Sequence, residues 1–244
     1  HALYRSNPPD ANDPSFTDVR ADAGIDLERS TGWGASWADL DNDTDLDLAL
    51  VNGYIPVTNL GRDAERIQIF QNLFAEGREG RFREVRDAVQ GVGRVVARGS
   101  AAADYDNDGD LDVAVLPLGK PLVLLQNPGA VGWLEVTLEG APPGAEVTLK
   151  LADGRTLRRE LQAGSSYLSS EDPRLHFGLG DAGSVAEVRV RWPGGEQTVL
   201  ENVEAILPIL REEAEASSTL GYLTDRASDA LRDAGVYRAG FARH

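Results

Sequence analysis

Asp39-Leu-Asp-Asn-Asp-Thr-Asp-Leu-Asp47 and Asp104-Tyr-Asp-Asn-Asp-Gly-Asp-Leu-Asp112 are the two stretches on which the reading of this chain turns. Each places an aspartate at every second position of a nine-residue run, and the runs lie 65 residues apart. Their flanks repeat as well. Gly34-Ala-Ser-Trp-Ala38 leads into the first and Gly99-Ser-Ala-Ala-Ala103 into the second, while Leu48-Ala-Leu-Val51 and Val113-Ala-Val-Leu116 lead out. Phe16-Thr-Asp-Val19 recurs as Phe82-Arg-Glu-Val85, and short segments ending in Asn7, Asn72 and Asn127 mark the starts of successive units. Three landmarks in register make a structural repeat, not a chance acidic run. Each unit reads as strand, loop, strand, with two units and the opening of a third visible.

Five like charges within nine residues repel one another in a folded loop unless a cation neutralises them. Calcium takes six to eight oxygen ligands at about 2.3–2.6 Å, which alternate side chains and a backbone carbonyl of a tight loop can present. In a D-x-D-x-D-G-x-x-D loop, positions 1, 3, 5 and 9 supply carboxylates and position 7 its carbonyl. The first expected site is therefore Asp39, Asp41, Asp43 and Asp47 with the Asp45 carbonyl; the second is Asp104, Asp106, Asp108 and Asp112 with the Asp110 carbonyl. An EF-hand is excluded, because the twelfth position holds Leu50 or Val115 where a bidentate Glu would sit. Magnesium, which demands a stricter octahedron and keeps its waters, suits the loops less well. Gly109 allows the sharp turn of the second loop, whereas Thr44 stands at that position in the first, so the first site is expected to be the weaker. Asn42-Asp-Thr44 has the form of a glycosylation sequon, but a glycan inside a metal loop would obstruct ligation, and the match is read as accidental.

Beyond the loops the pattern changes. Trp133-Leu-Glu-Val-Thr-Leu138, Glu146-Val-Thr-Leu-Lys-Leu151 and Val185-Ala-Glu-Val-Arg-Val-Arg-Trp192 alternate as strands, with turns at Ala152-Asp-Gly154 and Pro193-Gly-Gly195. Near the end Leu220, Leu223, Ala227, Leu231 and Ala234 fall at helical spacing before Gly235, which predicts a short helix. The organisation expected is thus two calcium-binding repeats over 1–130, a second β domain over 131–212 and a helical tail over 213–244.

The acidic loops in this context resemble the FG-GAP/VCBS repeats of β-propeller blades. The segment carrying Leu175-His-Phe-Gly-Leu-Gly180 and Val190-Arg-Trp-Pro-Gly-Gly195 resembles the ASPIC/UnbV domain that follows such repeats in cartilage acidic protein-like proteins, including secreted bacterial ones. The resemblance covers about residues 3–210. It implies an all-β fold, partial propeller-like blades followed by a β-sandwich, and calcium-supported extracellular recognition or scaffolding. The chain departs from the family pattern at Thr44 and in the short Glu139-Gly-Ala-Pro-Pro-Gly-Ala145 turn. Propellers close with about 4–8 blades. Two blades leave strand edges and faces to be covered by the second domain, the C-terminal helix or another protein.

Composition narrows the function. Forty acidic against 24 basic residues give a formal charge of −16, which disfavours nucleic acid and anionic lipid as charge-driven partners. Ten of the acidic residues lie in the two loops, so the rest of the surface is only mildly acidic. The absence of cysteine removes disulfides, zinc-thiolate sites and cysteine nucleophiles. No apolar stretch is long enough to insert in a bilayer. An extracellular or periplasmic location is expected, with any signal peptide removed.

No nucleophile elbow, phosphate loop or dinucleotide fingerprint is present. His1 and His244 are terminal, and His176, between Leu175 and Phe177, is read as structural. Trp33, Trp37, Trp133 and Trp192 are read as core; exposed, they would favour glycans as partners. The expectation is a non-enzymatic, calcium-binding interaction module or accessory subunit of a larger periplasmic or cell-surface assembly. The alternatives are a carbohydrate-binding adhesion module and a biosynthetic tailoring or hydrolytic enzyme.

Overall fold

A computed structural model describes residues 2–7, 15–25, 27, 30–128 and 132–201. The tail over 213–244, with its expected helix, lies outside the described residues. The fold is all-β, built from antiparallel sheets, and forms two compact units: residues 1–131 with 163–172, and residues 132–162 with 173–244.

The first unit opens with β1 (Tyr4–Ser6) paired to β2 (Phe16–Asp18) and a single helical turn, α1 (Arg20–Ala23). A four-stranded meander follows: β3 (Gly32–Ala38), β4 (Asp47–Asn52), β5 (Gln68–Asn72) and β6 (Phe82–Glu84). The second repeat forms a three-stranded meander of β7 (Ala97–Ala103), β8 (Asp112–Pro117) and β9 (Val123–Leu125). In both, the acidic loop is the hairpin joining the first two strands, whose register pairs Ala38 with Asp47 and Ala103 with Asp112.

Alternation along β4 explains how the layers stack, because successive side chains point to opposite faces. Leu48 and Leu50 face a core with Ala23, Ile25, Leu27 and Phe70. Ala49 and Val51 face the other way, into a core with Val95, Ala97, Val113 and Val115. Strand β4 is thereby buried on both faces, whereas the far side of β8 leaves Leu116 exposed.

Small residues entering the loops have a physical reason. Strands β3 and β7 run so close that Ser36 Oγ lies 3.2 Å from Ser100 Oγ, and a Cβ on Gly34 would fall 2.9 Å from the Ser100 backbone nitrogen. Both are outer strands of their sheets, with edges that would otherwise be open. Residues 163–172 occupy them. The Ala35 N–H donates to Ser166 Oγ at 3.0 Å, the Ala102 N–H donates to the Glu171 carboxylate, and Asp172 N–H donates to the Ala102 carbonyl. Tyr167 meets Trp33 edge-on at 4.9 Å, and the Arg98 guanidinium lies 4.2 Å from the centre of the Trp33 ring.

The second unit contains β10 (Trp133–Val136), β11 (Glu146–Leu151), β12 (Thr156–Glu160), β13 (Leu175–Gly178), β14 (Val185–Arg191) and β15 (Gln197–Glu201). One sheet has the order β12-β11-β14-β15; the pair β10-β13 packs on it through a core of Val147, Leu149, Leu151, Phe177, Val185 and Val188. The turns at Gly154 and Gly195 have φ of 91° and 94°, where glycine is favoured. They join β11 to β12 and β14 to β15. The segment 163–172, which the sequence reading placed inside the second domain, groups instead with the first unit.

Candidate metal centres

Each acidic loop is tied by the same set of hydrogen bonds. The carboxylate of the ninth position closes the hairpin: Asp47 accepts from the N–H groups of Leu40 (3.0 Å) and Asn72 (2.8 Å), and Asp112 from those of Tyr105 (3.2 Å) and Asn127 (2.8 Å). The first-position carboxylates bend inward, with Asp39 accepting from Thr44 N–H and Asp104 from Gly109 N–H. Fifth-position Asp43 and Asp108 accept from Asp45 and Asp110 N–H. Two glutamines complete the pattern, Gln71 donating to Asp41 at 2.7 Å and Gln126 to Asp106 at 2.6 Å. Asn72 and Asn127, noticed in the sequence only as repeat markers, prove to be the strand residues whose N–H groups hold the ninth-position aspartate.

Within that frame, carboxylate oxygens of Asp39, Asp41 and Asp43 lie within 4.8 Å of one another, as do those of Asp104, Asp106 and Asp108. Asp47 and Asp112 stand outside these groups and act on the backbone. The seventh positions differ between repeats. Asp110 accepts a hydrogen bond from Asn42, whereas Asp45 groups with Asp43 and Glu76. Glu76 comes from the β5–β6 connection, and no spacing rule in the loop motif could have found it. Asp45 is buried; its Oδ2 accepts from Ala75 N–H at 2.9 Å, and its Oδ1 has no hydrogen-bond partner among the described residues.

The electrostatics follow from burial and like charge. Burial pushes Asp47 up to about 8 and Asp43 up to about 6, with Asp41 adding to both and Asp45 and Glu76 adding to the rise of Asp43. Asp45 and Asp112 are also raised, chiefly by burial. Carboxylates gathered at the cost of their own ionisation, with a buried oxygen left over at Asp45, form an oxygen-only donor set suited to a hard divalent cation.

The backbone turn is the same in both loops. Thr44 and Gly109 each have φ of 94°, and Asn42 and Asn107 have 56° and 57°. A β-branched residue at such a φ is strained, and glycine is not. Asn42 is only 2% exposed, so the sequon asparagine is inside the fold.

His176 is 6% exposed in β13 and stacks on Trp133 at 6.3 Å; its register neighbour Glu135 pairs with Arg174 at 3.0 Å. Trp33, Trp133 and Trp192 are partly buried, and Trp33 donates to the Gly53 carbonyl at 2.8 Å. Trp37 is exposed but packs on Phe82, with ring centres 5.9 Å apart. The described residues include no helix long and apolar enough to cross a membrane.

Comparison with known proteins bears on the second unit most directly. Residues 140–217 match the ASPIC and UnbV family. The chain carries an ASPIC/UnbV domain. It is also similar to cartilage acidic protein 1 of Homo sapiens, at 27% identity over 286 aligned residues that take in 93% of this chain and 42% of the relative. The protein of the same name from Mus musculus is 30% identical over 189 residues, covering 71% of this chain and 28% of the relative. That from Xenopus tropicalis is 31% identical over 170 residues, covering 65% and 25%. The chain therefore spans less than half the length of these curated relatives. The similarity to the human protein extends across both units.

Proposed function

We propose that this chain is a non-catalytic, calcium-stabilised interaction module of an extracytoplasmic assembly, with another protein as its partner. The observation that carries this reading is the duplicated loop: three convergent carboxylates held by matching hydrogen bonds on two stacked β-meanders. Asp39, Asp41 and Asp43 would hold one ion and Asp104, Asp106 and Asp108 the other, completed by the carbonyls of Asp45 and Asp110. When bound, the ion neutralises the clustered charge. Because an unfolded chain has no such site, its binding free energy adds to folding free energy.

The antiparallel meanders, stacked face to face, support reading the repeats as FG-GAP/VCBS-type blades. The similarity to cartilage acidic protein 1 supports an extracellular or periplasmic setting, and the exposed Leu116 side of the second meander supports a macromolecular partner. His176 is buried between structural neighbours, which argues against catalysis there.

Calorimetric melting of the chain in calcium and in excess chelator tests the metal. The transition should move upward with calcium; superimposable curves would remove calcium from the reading. Native mass spectrometry of the protein purified from its source tests the assembly, and a mass of the lone chain under gentle conditions would count against a stable partner.

A further inference from the structure

The two loops are joined to each other as well as to their own strands. Asn42, set between Asp41 and Asp43, donates through Nδ2 to the Gly109 carbonyl at 3.2 Å and to Asp110 Oδ1 at 3.0 Å in the other loop. In return, Asn127 donates through Nδ2 to the Leu40 carbonyl at 2.6 Å, while its N–H holds Asp112. Asn107 has the position and the φ of Asn42 in the second loop, yet its side chain is exposed. The same Asp-Asn-Asp triplet and the same φ with unequal burial make the second loop, to which Asn42 donates, the surface that buries it.

We infer that the two loops bind their cations cooperatively, with Asn42 and Asn127 as the positioning residues that couple them. This rests on the calcium reading above. An ion in the second loop fixes the Gly109–Asp110 backbone, which presents the two acceptors of Asn42. An ion in the first loop fixes Asp41 and Asp43, which flank the donor. Whichever loop orders first sets half of the shared hydrogen bonds, so the other loop loses less conformational freedom when it fills. Such coupling is reciprocal: filling either loop tightens the other by the same factor, of the order of tenfold.

The test is isothermal titration of the full chain with calcium alone, in four forms: unaltered, Asp41→Asn to disable the first loop, Asn42→Gly to remove the donor while retaining the positive φ, and the two together. Disabling the first loop should weaken the second about tenfold in the unaltered background and leave it unchanged in the Asn42→Gly background. Both sites should still fill in Asn42→Gly, with independent affinities. A merely structural asparagine would lower the melting temperature without removing the dependence of one site on the other. If Asn42→Gly does not fold, Asn127→Ala makes the same comparison from the opposite link. Two sites that are already independent in the unaltered chain would overturn the coupling and spare the calcium reading; no bound calcium in the unaltered chain would overturn both.

Discussion

Gly34 and Ser100, one from each repeat, meet across the two meanders so closely that a Cβ on Gly34 would lie 2.7 Å from Ser100 Oγ and 2.9 Å from Val51 Cγ2. The contact includes the Ser100 backbone nitrogen, which cannot move aside as a side-chain tip can. Gly34→Ala should therefore force the sheets apart and lower unfolding free energy by about 1–3 kcal/mol, as overpacking does. Denaturant midpoints at constant m-value measure it. Adding Ser100→Ala should recover only part of the loss, and a Gly34→Ala protein as stable as the original would show that the sheets are not in contact here.

Thr44 invites the opposite change. With the same φ of 94° as Gly109, it carries a strain that glycine would release. Thr44→Gly should stabilise the protein by about 1 kcal/mol and tighten the first site, because a β-branched residue is disfavoured in this region. Gly109→Thr should do the reverse to the second site. Calcium titration and melting of both variants check this, and unchanged values for Thr44→Gly would refute the strain.

Glu76 is grouped with Asp43 and Asp45 of the first loop, and no matching group forms beside Asp108 among the described residues. Glu76→Gln, made in the Asn42→Gly background where the loops are uncoupled, should weaken calcium binding at the first loop several-fold and leave the second as it was. Equal weakening of both loops in that background, read by site-resolved titration, would remove Glu76 from the first site.

In chelator the loops should respond to pH in a defined direction. The folded-state values of Asp43 and Asp47, about 6 and about 8, lie above the ordinary carboxylate value near 3.8. Between roughly pH 4 and 8 the native state then holds more protons than the unfolded chain, so stability falls as pH rises through that window. The melting temperature without metal should be higher at pH 5 than at pH 8. Calcium, which competes with protons for the same oxygens, should flatten or invert the slope. A chelated protein that melts higher at pH 8 would contradict the arrangement of these carboxylates.

The segment 163–172 supplies the closing layer of β3 and β7. Removing the ring of Tyr167, which meets Trp33 edge-on, should lower stability by about 1 kcal/mol, the scale of an aromatic pair. Replacing residues 164–171 by a short glycine linker should cost more and promote aggregation, because two sheet edges lose their hydrogen-bond partners. Light scattering on heating distinguishes the two variants, and a linker variant as soluble and stable as the parent would show that the edges need no cover.

Much of this was legible in residue order alone. Repetition of the aspartate spacing located both loops; alternation and Gly-containing turns located β11 and β14; small residues before each loop marked β3 and β7. These are local signals, carried by period, turn chemistry and side-chain size. What tertiary structure decided is how equivalent residues come to differ. Asn42 is buried where it donates to the second loop, whereas Asn107, at the same position and φ, is exposed, and Asp45 groups with Glu76 while Asp110 takes a hydrogen bond from Asn42. Ser166, Tyr167 and Glu171 lie far along the chain from the strands they cover, and no period or spacing connects them. Local sequence specified each loop and strand; the packing of one repeat on the other, and of residues 163–172 on both, gave matching segments different partners.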